Sequence, residues 1–338
     1  MIMFGKIARD PVSWASLVFT TVLPFLIASV VQATEVLIFS TVTLACNLLL
    51  GYTGFLSFAQ SAFLGVGAYA CGYLLVHSGS GFLVSMVLAT LAAAAAGALV
   101  GLLATQKRGI YGVMLTLALS QMFYFIAYAA SDITGGDNGM SGIVRPDIVL
   151  FGAKLLRTDN ATAFYCLSGV FFILVCVLLR LLLASPFGAV LVAIRENEER
   201  AIAIGYNTRL FKTLAFVISA AITGAAGALY AMFLSFAPLS NIDIAMSEKI
   251  VIMTVLGGSN SFFGPVLGAT AYVLLSNVLS VVWQRWLLLL GIILILIAGF
   301  LRGGIWSIVV WLWDAATNMR SRRNQKNLAA TQEGRQLI

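Results

Sequence analysis

The chain has 338 residues, of which 61% are hydrophobic and 10% charged, with a formal net charge of +7. A soluble domain carries about 25% charged and about 45–50% apolar residues, so this chain has too few charges to cover a water-exposed surface. A soluble globule and a long disordered chain are thereby excluded. Cys46, Cys71, Cys166 and Cys176 all stand in apolar sequence, which reads as buried free thiols rather than a disulfide scaffold. The basic residues stand in short clusters between apolar runs, as topology determinants do, so nucleic acid is not an expected partner.

A membrane-crossing helix needs about 20 mostly apolar residues. In chain order, such runs fall at 12–31, 35–50, 55–76, 82–104, 110–130, 161–184, 211–236, 245–258, 265–283 and 286–304. Two of them, 35–50 and 245–258, read as short and end at glycines, Gly51-Tyr-Thr-Gly54 and Gly257-Gly258. Short, glycine-interrupted segments in the two halves of a transporter point to a permeation site; ordinary helices joined by tight turns remain open as the alternative. The expectation is an all-α integral membrane protein of about ten transmembrane helices. With both termini cytoplasmic, only Arg145, Lys154, Arg157, Lys249 and Arg285 of the 20 Lys and Arg fall outside, the positive-inside bias expected of that orientation. Residues 1–313 then form the membrane domain, with 131–160 a periplasmic loop, 185–210 a cytoplasmic loop and 314–338 a basic cytoplasmic tail suited to contact with anionic lipid. The first run reads as a retained anchor, having no A-x-A cleavage site.

Enzymatic motifs are missing. The only Lys followed by Ser or Thr is Lys212, and Phe211 precedes it, so there is no phosphate-binding loop. His77 is the sole histidine, leaving no histidine-based metal cluster, and no G-x-S-x-G or H-E-x-x-H occurs. Glu35, Asp243, Glu248 and Lys249 are expected at outer helix ends, so mid-membrane positions offer neutral polar groups, and ion coupling is disfavoured. Polar groups facing lipid are costly, so Asn47, Ser57, Gln60, Ser61, Thr116 and Gln121 are candidates for the permeation route, with pairing between helices as the alternative. Gly51, Gly54, Gly257 and Gly258 join them as backbone turns at membrane depth.

The loop at 185–210 reads as structured. Ser185-Pro186 suits a helix start, with a capping hydroxyl and proline at the first helical position. Val190, Ala193 and Ile194 recur at helical spacing, Arg195, Glu196, Glu198, Glu199 and Arg200 bring both charge signs together, and Gly205 is a helix stop. An amphipathic anchor for the loop is one reading. A dock for a protein partner is the other: three acids against two bases suit a protein better than anionic lipid, and Val190, Ala193 and Ile194 would fill a partner's groove.

This loop, from Ser185-Pro-Phe-Gly through Ala193-Ile-Arg-Glu-Asn-Glu to Ala203-Ile-Gly205-Tyr, resembles the cytoplasmic loop of branched-chain amino acid ABC-transporter permeases, the M-type subunit of the high-affinity system. Within it, Glu199-Arg-Ala201-Ile-Ala-Ile-Gly205 fits the looser E-x-A-x-x-x-G pattern of importer coupling loops. The resemblance extends over Asn47-Leu-Leu-Leu-Gly51-Tyr-Thr-Gly54-Phe-Leu-Ser57, Phe63-Leu-Gly65-Val-Gly67, Thr134-Gly-Gly-Asp137-Asn-Gly139, Lys212-Thr-Leu-Ala-Phe216 and Val255-Leu-Gly257-Gly258 through Gly264-Pro265. Gln60 stands where many members carry histidine, Ser259-Asn260 replace a common Leu-Gly, and Arg302-Gly-Gly-Ile305 lacks the usual Arg-Pro-x-Gly.

The resemblance implies a type II ABC importer permease in the bacterial inner membrane, itself no enzyme, moving branched-chain amino acids or a related small polar solute. It implies a homologous second permease, two cytoplasmic ATPase subunits and a periplasmic or surface substrate-binding protein. ATP and Mg would be held by the ATPases, with no cofactor on this chain. Pro186, Arg195, Glu196, Glu198, Glu199, Arg200, Ala201 and Gly205 would couple to them. The rival reading is a self-sufficient channel or secondary transporter for a small neutral solute such as urea, which leaves the ordered loop without a purpose.

Overall fold

At lipid depth a backbone must bond within its own helix or find partners in surrounding protein, and this chain uses both solutions. The computed structural model describes residues 11–27, 29–107, 109–146, 148–150, 153–156, 160–282, 285, 287–292, 295 and 303–307. The main helices are α1 (Pro11–Leu26), α2 (Val30–Asn47), α3 (Gln60–His77), α4 (Phe82–Ala104), α5 (Ile110–Ala129), α6 (Ala161–Leu183), α7 (Pro186–Glu196), α8 (Glu198–Ala203), α9 (Thr208–Leu234), α10 (Ile244–Gly257) and α11 (Gly264–Val282). Among the described residues, six helical stretches are long and apolar enough to cross a membrane: Val30–Tyr52, Phe82–Ala104, Ile110–Ala129, Ala161–Leu183, Thr208–Leu234 and Gly264–Val281. The protein is a helical, multi-pass membrane protein. The basic tail 314–338, the residues Lys6, Arg9, Arg108, Arg157 and Arg302, and most of the run 286–304 lie outside the described residues.

The expectation that 35–50 is a short segment is corrected. The helix begins at Val30, and a π-helical turn, Leu48–Tyr52, extends it to 23 residues. Gly51 lies inside that turn instead of ending the helix. The α2 span is also the most enclosed, 89% buried against 28% for α5. Helix α9 packs against α4, α3 and α2. Small residues permit these approaches, since helices in lipid gain from close backbone contact. A Cβ on Gly67 would strike the backbone of Gly224, and one on Gly97 would strike Ala220.

We call the end carrying α7 and α8 the lower end. Helix α2 finishes there, because Arg195 of α7 hydrogen-bonds the Gly51 carbonyl, and α9 starts there at Thr208. Helix α3 does not reach it. Its first residue, Gln60, bonds Ser219 and Thr223, the twelfth and sixteenth of the 27 residues of α9, and therefore lies at mid-depth. Residues 53–59 connect the lower end to that point without regular helix. Helix α10 is the counterpart. Residues 235–243 descend from the upper end as irregular chain, and α10 runs from mid-depth to the lower end. The run 55–76 is thus helical only from residue 60, whereas 245–258 is a short helix as expected.

The all-α expectation needs one amendment. Strand β1 (Met140–Ser141) pairs antiparallel with β4 (Phe236–Ala237), and β2 (Ile148–Leu150) with β3 (Ala153–Leu156). The β1–β4 pairing gives backbone partners to the non-helical lead-in of α10, which hydropathy alone could not reveal. Cys46, Cys71 and Cys176 are buried free thiols; Cys166 is exposed on α6, contrary to the expectation for all four, because no described residue covers its face of the helix.

Candidate functional site

The two half-helices begin against one another at mid-depth, and hydroxyl groups fasten the junction. The Ser247 hydroxyl donates to the Phe58 carbonyl at 2.5 Å, lies 2.8 Å from the Ser61 hydroxyl and accepts from the Ser61 backbone N–H at 2.9 Å. Ser61 also donates to the Ile242 carbonyl at 3.0 Å and lies 3.1 Å from the Ser120 hydroxyl. Thr116 accepts from the Phe58 N–H at 3.1 Å, and Ser57 accepts from the Ala59 N–H at 3.2 Å. Gln60 donates to Ser219 at 3.0 Å and accepts from Thr223 at 2.8 Å. The bonds to the backbone of Phe58, Ala59 and Ile242 replace intrahelical bonds that residues 53–59 and 235–243 forgo, each worth about 1 kcal/mol net and more when left unmade in an apolar interior.

The candidate route residues therefore divide. Ser57, Gln60, Ser61 and Thr116 meet at the junction. Gln121 does not: it stands half-buried next to Ser120, and adjacent positions on a helix do not share a face. Asn47, Gly51, Gly257 and Gly258 gather at the lower end instead. The Asn47 amide donates to the Ser261 carbonyl at 3.1 Å, while its Oδ1 is buried and finds no partner among the described residues. A Cβ on Gly51 would strike that Oδ1 and the Ser259 carbonyl. Gly258 adopts φ +105°, a left-handed backbone that favours glycine. The signal for the missing members was in the sequence as spacing: Thr116 and Ser120, and Ser219 and Thr223, each recur at i, i+4 within apolar helices.

Three charged residues stand elsewhere than at the outer helix ends expected for them. Asp243, Glu248 and Lys249 do not stand at an outer end, because the irregular descent of 235–243 starts α10 at mid-depth. Asp243 caps that start, its carboxylate accepting from the Ile244 N–H at 2.6 Å. The Lys249 ammonium lies 4.3 Å from the centroid of Phe39, the tenth residue of the 23-residue α2 span.

At the lower end, 185–210 folds as expected into helices, α7 with Pro186 in its first turn and α8 followed by Gly205 at φ +96°. Ser185 makes no side-chain cap; its hydroxyl turns back to the Leu182 carbonyl at 2.6 Å. The cap between the helices is Asn197, accepting from the Arg200 N–H at 2.9 Å. Two expectations are overturned. Val190 and Ile194 are not offered to a partner; they are buried with Ala201 against Phe211 of the same chain. Glu198 does not face outward: its carboxylate pairs with the buried Lys212 ammonium at 2.7 Å and accepts from the Thr208 hydroxyl at 3.2 Å. The exposed residues are Arg195, Glu196, Glu199 and Arg200, with the apolar Ile202, Ile204, Tyr206 and Leu210 beyond them.

Arg195 joins this loop to the membrane part. Besides bonding Gly51, it packs on Gly54, where a Cβ would lie 2.9 Å from its Cγ. Beside it a cleft of about 340 Å³ opens between residues 53–56, the start of α5 and the α7–α8 junction, with Lys107, Glu196, Glu198 and Lys212 in its wall. Among the described residues no group of three His, Cys, Asp or Glu could hold a metal ion.

Comparison with known proteins gives this architecture a family. The family model described as "Branched-chain amino acid transport system / permease component" matches residues 14–298. The chain is 30% identical over 302 residues to the high-affinity branched-chain amino acid transport system permease protein LivM of Escherichia coli (strain K12), covering 83% of this chain and 71% of the relative. The protein of the same name from Salmonella typhimurium gives the same values. The probable branched-chain amino acid transport permease protein LivM of Methanocaldococcus jannaschii is 28% identical over 275 residues, covering 71% of this chain and 78% of the relative. No solved structure matches. With its helical membrane architecture and a family match over most of its length, the chain belongs to the branched-chain amino acid transport system permease family.

Proposed function

We propose that this chain, a permease subunit of an ABC importer, forms half of a translocation path for branched-chain amino acids in the bacterial cytoplasmic membrane. A homologous second permease completes the path, and two ATPase subunits binding ATP and Mg dock at 185–210. A periplasmic or surface protein delivers substrate to the opposite end. Residues 1–313 act as one membrane unit crossing ten times with both termini cytoplasmic, and 314–338 form a basic tail at the inner surface. In support of the shared side for the two ends, Gly304 packs against Gly258 at the lower end, the side where α1 begins if it runs antiparallel to α2.

The observation that carries this reading is the fastening of α7 to α2 through Arg195 and Gly51. A docked ATPase that moves α7 moves Gly51 and Gly54 with it, and these lead directly into the broken segment 53–59. Coupling then amounts to a differential affinity of the ATPases for outward-open and inward-open arrangements. Glu196, Glu199, Arg200, Ile202, Ile204 and Tyr206 present the docking surface, mixed in charge with an apolar part. Ala201 and Glu198 hold the loop from within, and Pro186 and Gly205 set where its helices start and stop.

Uptake of labelled leucine, isoleucine, valine and urea in cells with and without the gene tests the proposal. Loss of branched-chain uptake on deletion supports it. Unchanged amino acid uptake with loss of urea uptake would favour the channel or secondary-transporter reading.

A further inference from the structure

Lys249 is the sixth residue of α10, two positions past the junction serine Ser247, and therefore close to mid-depth. Its ammonium lies 4.3 Å from the Phe39 ring centroid and 5.6 Å from that of Tyr272. Ring faces stabilise a cation, but an ammonium carries three donors, and among the described residues none of them reaches an acceptor. Glu35 stands one helical turn before Phe39 on the same face of α2. It attracts Lys249 through space, yet the two make no direct ion pair. Tyr230 packs edge-on against Phe39 with centroids 5.4 Å apart. Both charged side chains are half-buried and keep contact with the exterior of the chain.

Two opposite charges held apart at membrane depth are costly in lipid and mark a functional site by default. Hydrocarbon cannot face them, and an apolar surface of another subunit would strand them. What fits is a molecule with an anionic and a cationic group on one small centre. Its carboxylate supplies the acceptor that Lys249 lacks and its ammonium meets Glu35, while the buried rings of Phe39 and Tyr272 back the Lys249 ammonium from within the chain. We propose that Glu35 and Lys249 bracket a binding site for a zwitterionic α-amino acid on the translocation path. The inference rests on the amino acid import reading and assigns that import a pair of specificity-determining residues.

The test uses the importer assembled from this chain and its partner subunits, as wild type, Lys249→Gln, Lys249→Arg and Glu35→Gln. Each is assayed for leucine uptake in competition with leucinamide, which lacks the carboxylate, and with 4-methyl-2-oxopentanoate, which lacks the ammonium. Losing a charge-assisted bond should raise the KM for leucine by about tenfold or more. In Lys249→Gln the preference for leucine over leucinamide should collapse. In Glu35→Gln the preference over the oxo acid should collapse, while Lys249→Arg keeps both. Because each preference is a ratio within one variant, poor yield does not affect it, and if Lys249→Gln fails to assemble, Glu35→Gln carries the same measurement. Unchanged preferences with leucine transport intact would overturn the site alone, as would an equal rise in KM for all three compounds, the mark of a structural pair. A wild-type importer that moves no leucine would overturn the import reading and this inference with it.

Discussion

The Glu198 carboxylate and the Lys212 ammonium lie 2.7 Å apart, with side-chain exposures of 23% and 8%. They tie α8 to the first turn and a half of α9, and the bond to Thr208 makes Glu198 a shared anchor. Removing one partner of such a pair leaves a buried charge uncompensated, which costs ~2 kcal/mol or more. Glu198→Gln should lower the thermal unfolding midpoint of the purified protein and expose the 197–207 segment to protease. Glu198→Lys should do so more strongly, and the exchange Glu198→Lys with Lys212→Glu should restore much of the loss. A Glu198→Lys protein as protease-resistant as the wild type would contradict the brace.

ATPase docking has to be tested on exposed residues. Glu199→Lys and Arg200→Glu together, or Ile204→Ala with Ile202→Ala, should reduce co-purification of the ATPases while leaving the unfolding free energy within ~0.5 kcal/mol of wild type, as surface changes do. Full ATPase recovery with normal uptake would return 185–210 to the role of a simple anchor.

The contact of Arg195 with Gly51 and Gly54 predicts a different failure. Gly54 has φ +71°, and a Cβ there would lie 2.9 Å from the Arg195 Cγ. Gly54→Ala should therefore strain the turn by ~1 kcal/mol or more and push Arg195 aside. The expected phenotype is ATP hydrolysis that continues with little uptake, measured as the ratio of solute moved to ATP consumed. An unchanged ratio would mean that α7 does not drive residues 51–54.

The apolar runs and the helical loop with Pro186 at its start and Gly205 at its end were legible in the sequence because each rests on local pattern. The breaks at 53–59 and 235–243 were not. Their backbone is satisfied by Thr116, Ser247 and the β1–β4 pairing, partners that lie far away in sequence, so Ser57 to Phe63 read as ordinary apolar helix. Val190 and Ile194 were correctly placed on an apolar face, but periodicity cannot say whether that face meets Phe211 or another protein. The depth of Lys249 followed from the break before α10 and was lost with it.

The serine junction predicts a stability cost. Ser247→Ala removes the donor to the Phe58 carbonyl and the acceptor of the Ser61 N–H in a fully buried place. Unfolding free energy should fall by ~2 kcal/mol, with Ser247→Gly no better. A neutral Ser247→Ala would mean that the half-helices are held together by packing alone.

The central claim, that this chain moves branched-chain amino acids under the power of ATPases bound at 185–210, is tested most directly in proteoliposomes carrying the assembled transporter and its binding protein. Labelled leucine should accumulate against its gradient only when ATP and Mg are supplied on the 185–210 side, and the Glu199→Lys, Arg200→Glu variant should abolish that accumulation. Leucine or urea flux that is independent of ATP and indifferent to that variant would contradict the account.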